Sequence, residues 1–165
     1  MLGRMDAHVP DLKFIQKFMK ECTHIINGTD LCLSLAAGPL RIEFAVLSYI
    51  FKTIDVNDIS SKMKDTWLKL APNFKKPGMW KKKNRIGRIG EMYYGMNMID
   101  VPFTDKLYNC LFMNWGLNYL EYEDALNLLK KAKPALTFKT EKQGTIILKE
   151  TIRESGDKPF KYGDQ

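Results

Sequence analysis

The chain has 165 residues, 45% of them hydrophobic, which fits a globular protein with a buried core and predicts a single domain over residues 1–165. No run of about 18 apolar residues is present, so the sequence predicts no membrane span. The first residues lack the apolar stretch that is typical of a secretory signal peptide. The formal net charge is +7, and three widely spaced cysteines indicate neither a disulfide framework nor a zinc site, which favours an intracellular, reducing compartment, either the cytoplasm or an organelle matrix such as that of the mitochondrion.

Apolar residues at helical spacing predict a first helix over residues 11–22, with Asp11 as its N-cap. The next stretches alternate between short apolar runs, typical of buried strands, and longer amphipathic or apolar segments, typical of helices. In chain order they are a strand over 31–37, a helix over 41–51, a strand over 52–58 and a helix over 60–72.

A basic loop, residues 72–90, comes next, with Pro77 and Gly78 as helix breakers. It holds seven Lys and Arg residues and no acidic residue, so its charge equals the net charge of the whole chain. The basic residues are Lys75, Lys76, Lys81, Lys82, Lys83, Arg85 and Arg88. The loop is either a solvated surface or a contact for an acidic protein or for RNA, with Trp80 as a stacking group.

The second half of the chain continues the alternation. We predict strands over 91–98, 107–115 and 144–152 and a helix over 121–136, followed by a polar tail over 153–165. Strands that alternate with helices predict an α/β fold with a doubly wound parallel sheet. In such a sheet, ligands bind beyond the carboxyl ends of the strands.

The stretch AAGPLR, residues 36–41, stands at the carboxyl end of the first predicted strand, where a nucleotide-type cofactor would bind. Such a loop needs small residues so that the backbone can lie against the ligand, yet only Gly38 is a glycine. Pro39 removes an amide donor and Leu40 adds bulk. The residues by themselves therefore favour an ordinary packed turn over a working cofactor loop.

Two further positions fall at the same predicted crevice. Asp58 ends the second strand, where a carboxylate either accepts ribose hydroxyls or caps the next helix, a role for which Ser60 and Ser61 compete. Asn114 and Trp115 end the fourth strand, where they either hold a peptide or planar group or simply pack. The sequence shows neither a metal cluster nor a nucleophile–His–acid set.

Taken together, these stretches resemble the protein N-terminal Xaa-Pro-Lys methyltransferases, a branch of the S-adenosylmethionine-dependent Rossmann methyltransferases. MLGRMDAHV resembles that family's MLGG…H segment, and LCLSLAAGPLRIEFAVLSYIFKTIDVNDIS follows its LDCGAGIGR…F…VD…D pattern without a gap. YNCLFMNWGLNYL resembles its YDVIWIQWVIGHL strand, and GTIILKETI its GIIVIKDN strand. The matches cover nearly the whole chain except the basic loop.

The resemblance implies roles for individual positions. The residues that it places at the cofactor are Gly38, Arg41, Asp58 and Asn97. It places Asn114 and Trp115 on the pair that lines the cofactor and peptide site, and Thr151 on the residue that orients the substrate amine. These three are the candidate catalytic positions.

Several positions depart from the family's pattern. An acid, two glycines, an aspartate, a histidine and an asparagine of the family are replaced by Ser34, Ala36, Leu40, Asn109, Tyr119 and Thr151. The family's last two strands have no counterpart. We therefore expect a doubly wound, Rossmann-like methyltransferase sheet truncated after the fifth strand, with an open edge there that a partner chain or the polar tail covers.

Most of the acceleration of a methyl transfer comes from positioning, which these departures affect. They favour a catalytically degenerate, methyltransferase-like protein that binds no cofactor and serves as a structural or binding subunit among the protein subunits of a multi-chain assembly. Two alternatives stay open. One is an active protein N-terminal methyltransferase that uses S-adenosylmethionine, and the other is an RNA-associated subunit that uses the basic loop.

Overall fold

The structure is a computed structural model that describes residues 9–75, 86–102, 106–136 and 143–150. Its five strands are β1 (Leu31–Leu35), β2 (Thr53–Asp58), β3 (Arg88–Tyr94), β4 (Cys110–Asn114) and β5 (Thr145–Lys149). They form one sheet in the order β3-β2-β1-β4-β5, and every neighbouring pair is parallel. The predicted doubly wound parallel sheet is confirmed, with its switch point between β1 and β4.

The helices are α1 (Val9–Cys22), α2 (Arg41–Ala45), α3 (Met63–Leu70) and α4 (Tyr122–Ala135). Helix α1 already begins at Val9, so the prediction of Asp11 as its N-cap is wrong, and Asp11 lies in the first turn. Within the described part of the chain, no helix is both long enough and apolar enough to cross a membrane.

Helix α2 is much shorter than the helix predicted over 41–51. The backbone of Val46 leaves the helical region, with φ −130° and ψ −63°, and a 3₁₀ turn over Leu47–Tyr49 follows. The carbonyl oxygen of Ser48 accepts hydrogen bonds from the backbone N–H groups of Ile86 and Gly87, at 3.0 and 2.9 Å. A distant segment of chain therefore uses a carbonyl that a continued helix would have used itself.

Strand β3 starts three residues before the strand predicted over 91–98, so Arg88 and the two residues after it belong to the sheet and not to the predicted basic loop. Glycine is disfavoured in strands on propensity alone, which is why this segment resembled a loop. A Cβ at Gly90 would lie 2.2 Å from Oδ1 of Asp55, and one at Gly87 would lie 2.5 Å from the carbonyl oxygen of Phe51. Both glycines are needed because β3 enters the sheet against these atoms.

Helices cover both faces of the sheet. Side chains of α1, α2 and α3 pack on one face with alternate residues of the strands, and Trp67 of α3 is fully buried there. The other alternate residues, such as Leu33, Leu111 and Met113, pack against α4. Packing between these two apolar layers places the carboxyl ends of β1, β2 and β4 at one end of the sheet. The polar residues of the candidate site lie just after these strand ends.

Candidate functional site

A crevice of about 580 Å³ opens at the carboxyl ends of β1, β2 and β4, a volume typical of small-molecule sites. Six of the predicted site residues line it: Gly38, Arg41, Asp58, Asn97, Asn114 and Trp115. The seventh, Thr151, lies outside the described residues. Folding thus brings the described candidates for cofactor and substrate contact to one crevice, although they come from four separate segments of the chain.

The loop after β1 adopts the backbone conformation for which glycine is best suited. Ala36, Gly38 and Leu40 all have positive φ, of 52°, 54° and 60°. For Ala36 and Leu40 this left-handed conformation costs roughly 1–2 kcal/mol each. The loop keeps its shape even though two of its three left-handed positions are not glycine.

Leu40 does not obstruct the crevice, and the expectation that it does is wrong. Its side chain is fully buried in the apolar layer beneath α1, α2 and α3. At Gly38 a Cβ would meet no atom within 4 Å, so the space beside this glycine is open. The crevice wall formed by the loop is therefore made of small residues and backbone, as close contact with a ligand requires.

Hydrogen bonds hold this loop on both sides. The N–H of Gly38 donates to Asp58 Oδ2 at 2.9 Å, and the carbonyl oxygen of Gly38 accepts from Trp67 Nε1 at 2.6 Å. The N–H of Ala37 donates to the carbonyl oxygen of Asn57 at 2.9 Å. Because both β2 and α3 form hydrogen bonds with the loop, its conformation is fixed without a bound ligand.

Asp58 combines parts of both roles that were open for it. Its Oδ1 accepts the N–H of Ser60 at 2.8 Å, so it closes a turn, but α3 begins only at Met63 and Asp58 is not that helix's N-cap. Each carboxylate oxygen has two acceptor positions, so one on each oxygen is left for a ligand hydroxyl. Its place in the crevice wall suits that use.

The structure adds Glu43, a site residue that the sequence analysis missed. Glu43 lies on α2, is 1% exposed and lines the crevice. Its Oε1 accepts a hydrogen bond from Ser34 Oγ at 2.5 Å. Burial raises the pKa of the Glu43 carboxyl to about 7, against the lowering effect of the Ser34 hydroxyl. The acid absent from β1 at Ser34 is thus replaced by one from α2 at the same place.

Four buried polar atoms in this crevice have no hydrogen-bond partner among the described residues. They are Glu43 Oε2, Asn57 Oδ1, Asn114 Oδ1 and Trp115 Nε1. Buried polar atoms are nearly always paired, because an unpaired one costs about 1–3 kcal/mol. Their concentration around one cavity, three acceptors and one donor, fits a polar ligand that supplies mainly N–H or O–H donors.

The far side of the crevice is built by the ends of β4 and β5. Trp115 also has a positive φ of 56°, its N–H donates to the carbonyl oxygen of Lys149 at 2.8 Å, and the Lys149 Nζ lies 4.4 Å from the centre of its ring. Glu150 accepts from the N–H of Leu117 at 2.7 Å and from Nδ2 of Asn118 at 2.9 Å. These contacts hold the indole at the crevice with its Nε1 unpaired.

Asn109, one of the departures from the family's pattern, lies away from the crevice. Its Oδ1 accepts from the N–H groups of Asp30 and Leu31 at 3.0 and 2.9 Å, and its Nδ2 donates to the carbonyl oxygen of Asn27 at 2.7 Å. It ties the start of β1 to β4, at the opposite end of the sheet. Its amide is therefore structural and does not bear on chemistry in the crevice.

The predicted basic contact surface is mostly outside the described residues, which include neither Lys76, Arg85 nor the three lysines 81–83. Lys75 ends a 3₁₀ turn, and its side chain is not described. Arg88 is exposed at the first position of β3, at the end of the sheet opposite the crevice. In the part of the chain that the structure describes, no three His, Cys, Asp or Glu side chains are grouped as a metal site.

Residues 2–165 match the model of the family described as AdoMet dependent proline di-methyltransferase, where AdoMet is S-adenosylmethionine. N-terminal Xaa-Pro-Lys N-methyltransferase 1-B of Xenopus laevis is 24% identical over 144 residues, 87% of this chain and 57% of that protein. The mouse (Mus musculus) N-terminal Xaa-Pro-Lys N-methyltransferase 1 is 22% identical over 147 residues, with the same two coverages. The chain thus spans little more than half the length of the curated relatives it matches.

Solved structures share the fold. A SAM-dependent methyltransferase of Leishmania major has a TM-score of 0.67 at 23% identity, over 90% of this chain and 53% of that one. A glycopeptide N-methyltransferase complexed with S-adenosyl-L-methionine has a TM-score of 0.56 at 17% identity, over 81% of this chain and 52% of that one. The expectation of no cofactor is therefore wrong: the matched family is described as dependent on S-adenosylmethionine, and a protein of the same fold was solved with it bound.

Proposed function

Since the chain belongs to the family of AdoMet-dependent proline dimethyltransferases, we propose that its crevice binds S-adenosylmethionine and that the chain methylates the terminal amine of a protein that begins Xaa-Pro-Lys. The observation that carries this proposal is the set of four unpaired buried polar atoms around one crevice at the switch point of the sheet. The relatives are named as methyltransferases that act on an N-terminal Xaa-Pro-Lys sequence, which supports this substrate class.

The residues present fit the cofactor. The loop from Ala36 to Gly38 offers backbone at close range, and Asp58 has acceptor positions for the two ribose hydroxyls. The guanidinium of Arg41, at the start of α2, pairs with the carboxylate of the cofactor's amino-acid part. When bound, S-adenosylmethionine supplies an electrophilic methyl group.

The chain's own part in the transfer is to hold the substrate amine. Asn114 Oδ1 accepts an N–H of the peptide's terminus, and Trp115 Nε1 donates to a peptide carbonyl. These two contacts satisfy two of the unpaired atoms and fix the direction of the amine lone pair, which is where most of the rate of such a transfer originates.

A second candidate is a catalytically degenerate subunit of a larger assembly that binds the cofactor without transferring its methyl group. It is favoured by β5, which is paired with β4 on one side only among the residues that the structure describes and so offers an edge to another chain. Both candidates bind the cofactor, but only the first transfers its methyl group, so one experiment distinguishes them.

The test is calorimetric titration of the purified chain with S-adenosylmethionine, followed by incubation with the labelled cofactor and a peptide that begins Ala-Pro-Lys. The first candidate expects binding and label on the terminal amine, and a Trp115→Phe variant that keeps binding but transfers less label. Binding without any transfer favours the degenerate subunit. If no binding is detected at cofactor concentrations up to about 1 mM, the binding free energy is weaker than about −4 kcal/mol, and both candidates are contradicted.

A further inference from the structure

We infer that the Glu43 carboxylate recognises the ammonium group of the cofactor's amino-acid part, in place of the acid that β1 lacks at Ser34; this inference rests on the proposed function. It makes Glu43 a specificity-determining residue for ligands that carry a primary amine beside the nucleoside.

Glu43 has an incomplete set of partners for a buried carboxylate. Its Oε1 has the Ser34 hydroxyl, and its Oε2 has no partner among the described residues. Asp55, which is equally buried, accepts three hydrogen bonds, from the N–H of Glu91 at 2.8 Å, Lys106 Nζ at 2.7 Å and the Tyr108 hydroxyl at 2.9 Å. A buried carboxylate that serves only the fold is satisfied in this way, whereas Glu43 keeps one oxygen for a donor from outside.

The position of that oxygen selects the kind of donor. Glu43 and Ser34 both line the crevice, at the carboxyl end of β1. A carboxylate pairs best with a charged N–H donor. S-adenosylmethionine carries two positive groups, a sulfonium and an ammonium, and only the ammonium has N–H groups to donate. The ammonium is therefore the partner that satisfies Oε2.

The charges around Glu43 make this recognition depend on pH. The pKa of the Glu43 carboxyl is raised to about 7, chiefly by burial and slightly by the negative Asp58 on β2, while the Ser34 hydroxyl on β1, the backbone N–H of Glu43 itself and the positive Arg41 on α2 lower it. The buried Cys32 thiol on β1 also faces it, and its own pKa is raised, so this neighbour stays uncharged. An ammonium at Oε2 would lower the pKa of Glu43, so binding releases a proton and strengthens as the pH rises.

Two nucleosides test the inference without turnover. S-adenosylhomocysteine keeps the ammonium, and 5′-methylthioadenosine lacks the whole amino-acid part. Both are titrated into the wild-type chain and into Glu43→Gln, with Glu123→Gln as the control, since Glu123 is exposed on α4 and does not line the crevice. Thermal unfolding confirms that each variant is folded.

We expect Glu43→Gln to weaken S-adenosylhomocysteine about tenfold or more and 5′-methylthioadenosine less than about twofold, because only the first ligand loses a charged hydrogen bond. Glu123→Gln should change neither affinity. For the wild-type chain, titrations in two buffers of different ionisation enthalpy should show release of about half a proton per S-adenosylhomocysteine at pH 7. This last measurement needs no variant.

The inference is overturned if Glu43→Gln weakens both nucleosides equally or neither, or if the wild-type chain binds S-adenosylhomocysteine with no proton released. Those results leave the proposed function standing, since the wild-type chain still binds. If the wild-type chain binds neither nucleoside, the proposed function fails and this inference fails with it.

Discussion

At the scale of single residues, the crevice depends on where its buried carboxylate comes from: position 43 supplies it, and position 34, nine residues earlier, does not. Ser34 on β1 and Glu43 on α2 form one buried hydrogen bond at 2.5 Å, so the carboxylate arrives from the helix and not from the strand. A carboxylate held in this way is costly when ionised, because little around it replaces the water it has lost. That cost appears in the stability of the chain as well as in ligand binding.

We predict that the wild-type chain without ligand loses stability, relative to Glu43→Gln, as the pH rises from about 4.5 to about 7. The pKa of Glu43 is raised from 4.5 to about 7 by burial, so over this window the unfolded chain has lost a proton that the folded chain still holds. The full difference in unfolding free energy is on the order of 3 kcal/mol and stays constant at higher pH. Chemical denaturation of both proteins at several pH values measures it, and parallel pH profiles would contradict the assignment.

We predict that Gly38→Ala separates stability from cofactor binding. Gly38 has φ 54° and open space beside its Cα, so the added methyl costs about 1 kcal/mol of backbone strain and no clash within the chain. Its methyl would enter the crevice that we propose binds the cofactor, so the affinity for S-adenosylmethionine should fall about tenfold or more. Gly95→Ala is the matched control, since Gly95 has φ 68°, lies outside the crevice wall and should lose stability alone.

At the scale of elements, the short helix α2 decides which residues reach the crevice. It begins immediately after the loop, so Arg41 and Glu43 lie in its first turn and line the crevice, while Leu40 just before it enters the core. The helix then stops at Ala45 because the following segment is bound to the chain that enters β3. The same contact anchors one end of the predicted basic loop.

We predict that the basic segment binds single-stranded RNA in a salt-dependent manner. Replacement of Lys81, Lys82 and Lys83 by Ser should weaken binding of a short oligonucleotide and lower the slope of log affinity against log salt concentration by up to about 2, since each phosphate contact contributes about 0.7. The control is the same change at Lys13, Lys17 and Lys20, which are exposed on α1. Equal RNA affinity of the wild type and of the Lys81–Lys83 variant at every salt concentration would leave this segment a solvated surface.

At the scale of the whole molecule, the sheet is asymmetric. Among the residues that the structure describes, β3 and β5 are both edge strands, each paired on one side only. The exposed residues of β3 include Arg88 and Glu91, whereas β5 is mostly apolar. Leu148 on β5 is 37% exposed and Ile147 beside it is 4% exposed. An apolar strand at the edge of a sheet, as β5 is among the described residues, invites pairing with another chain, which is how a subunit of an assembly would be held.

We predict that the isolated chain self-associates through β5, and that Leu148→Lys reduces this association without a large loss of thermal stability. A lysine on an exposed edge opposes strand pairing, while the buried side of β5 stays intact. Ile147→Lys is the contrasting variant, expected to unfold the chain because it buries a charge. Light scattering and thermal unfolding measure both properties. A stable wild-type monomer with a sharp, high transition would contradict the prediction and favour an independent enzyme.

The sequence by itself determined the order and type of the elements and the end of the sheet at which the site lies. Apolar runs and amphipathic spacing are local properties, and strands that alternate with helices have few ways to pack, so the parallel sheet and its switch point followed. The resemblance then placed Gly38, Asp58 and Asn114 at positions that fold into one crevice.

Only the tertiary structure decided how those positions are arranged. The helix over 41–51 was predicted too long and β3 too late, because a carbonyl at Ser48 and a carboxylate at Asp55 make contacts with segments more than thirty residues away. The direction of the Leu40 side chain depends on a left-handed backbone conformation, which leucine rarely adopts and which the sequence therefore does not predict. The hydrogen bond between Ser34 and Glu43 could be found only from the tertiary structure. Neither residue type nor spacing indicates that the hydroxyl of a serine on a strand donates to a buried glutamate on the next helix.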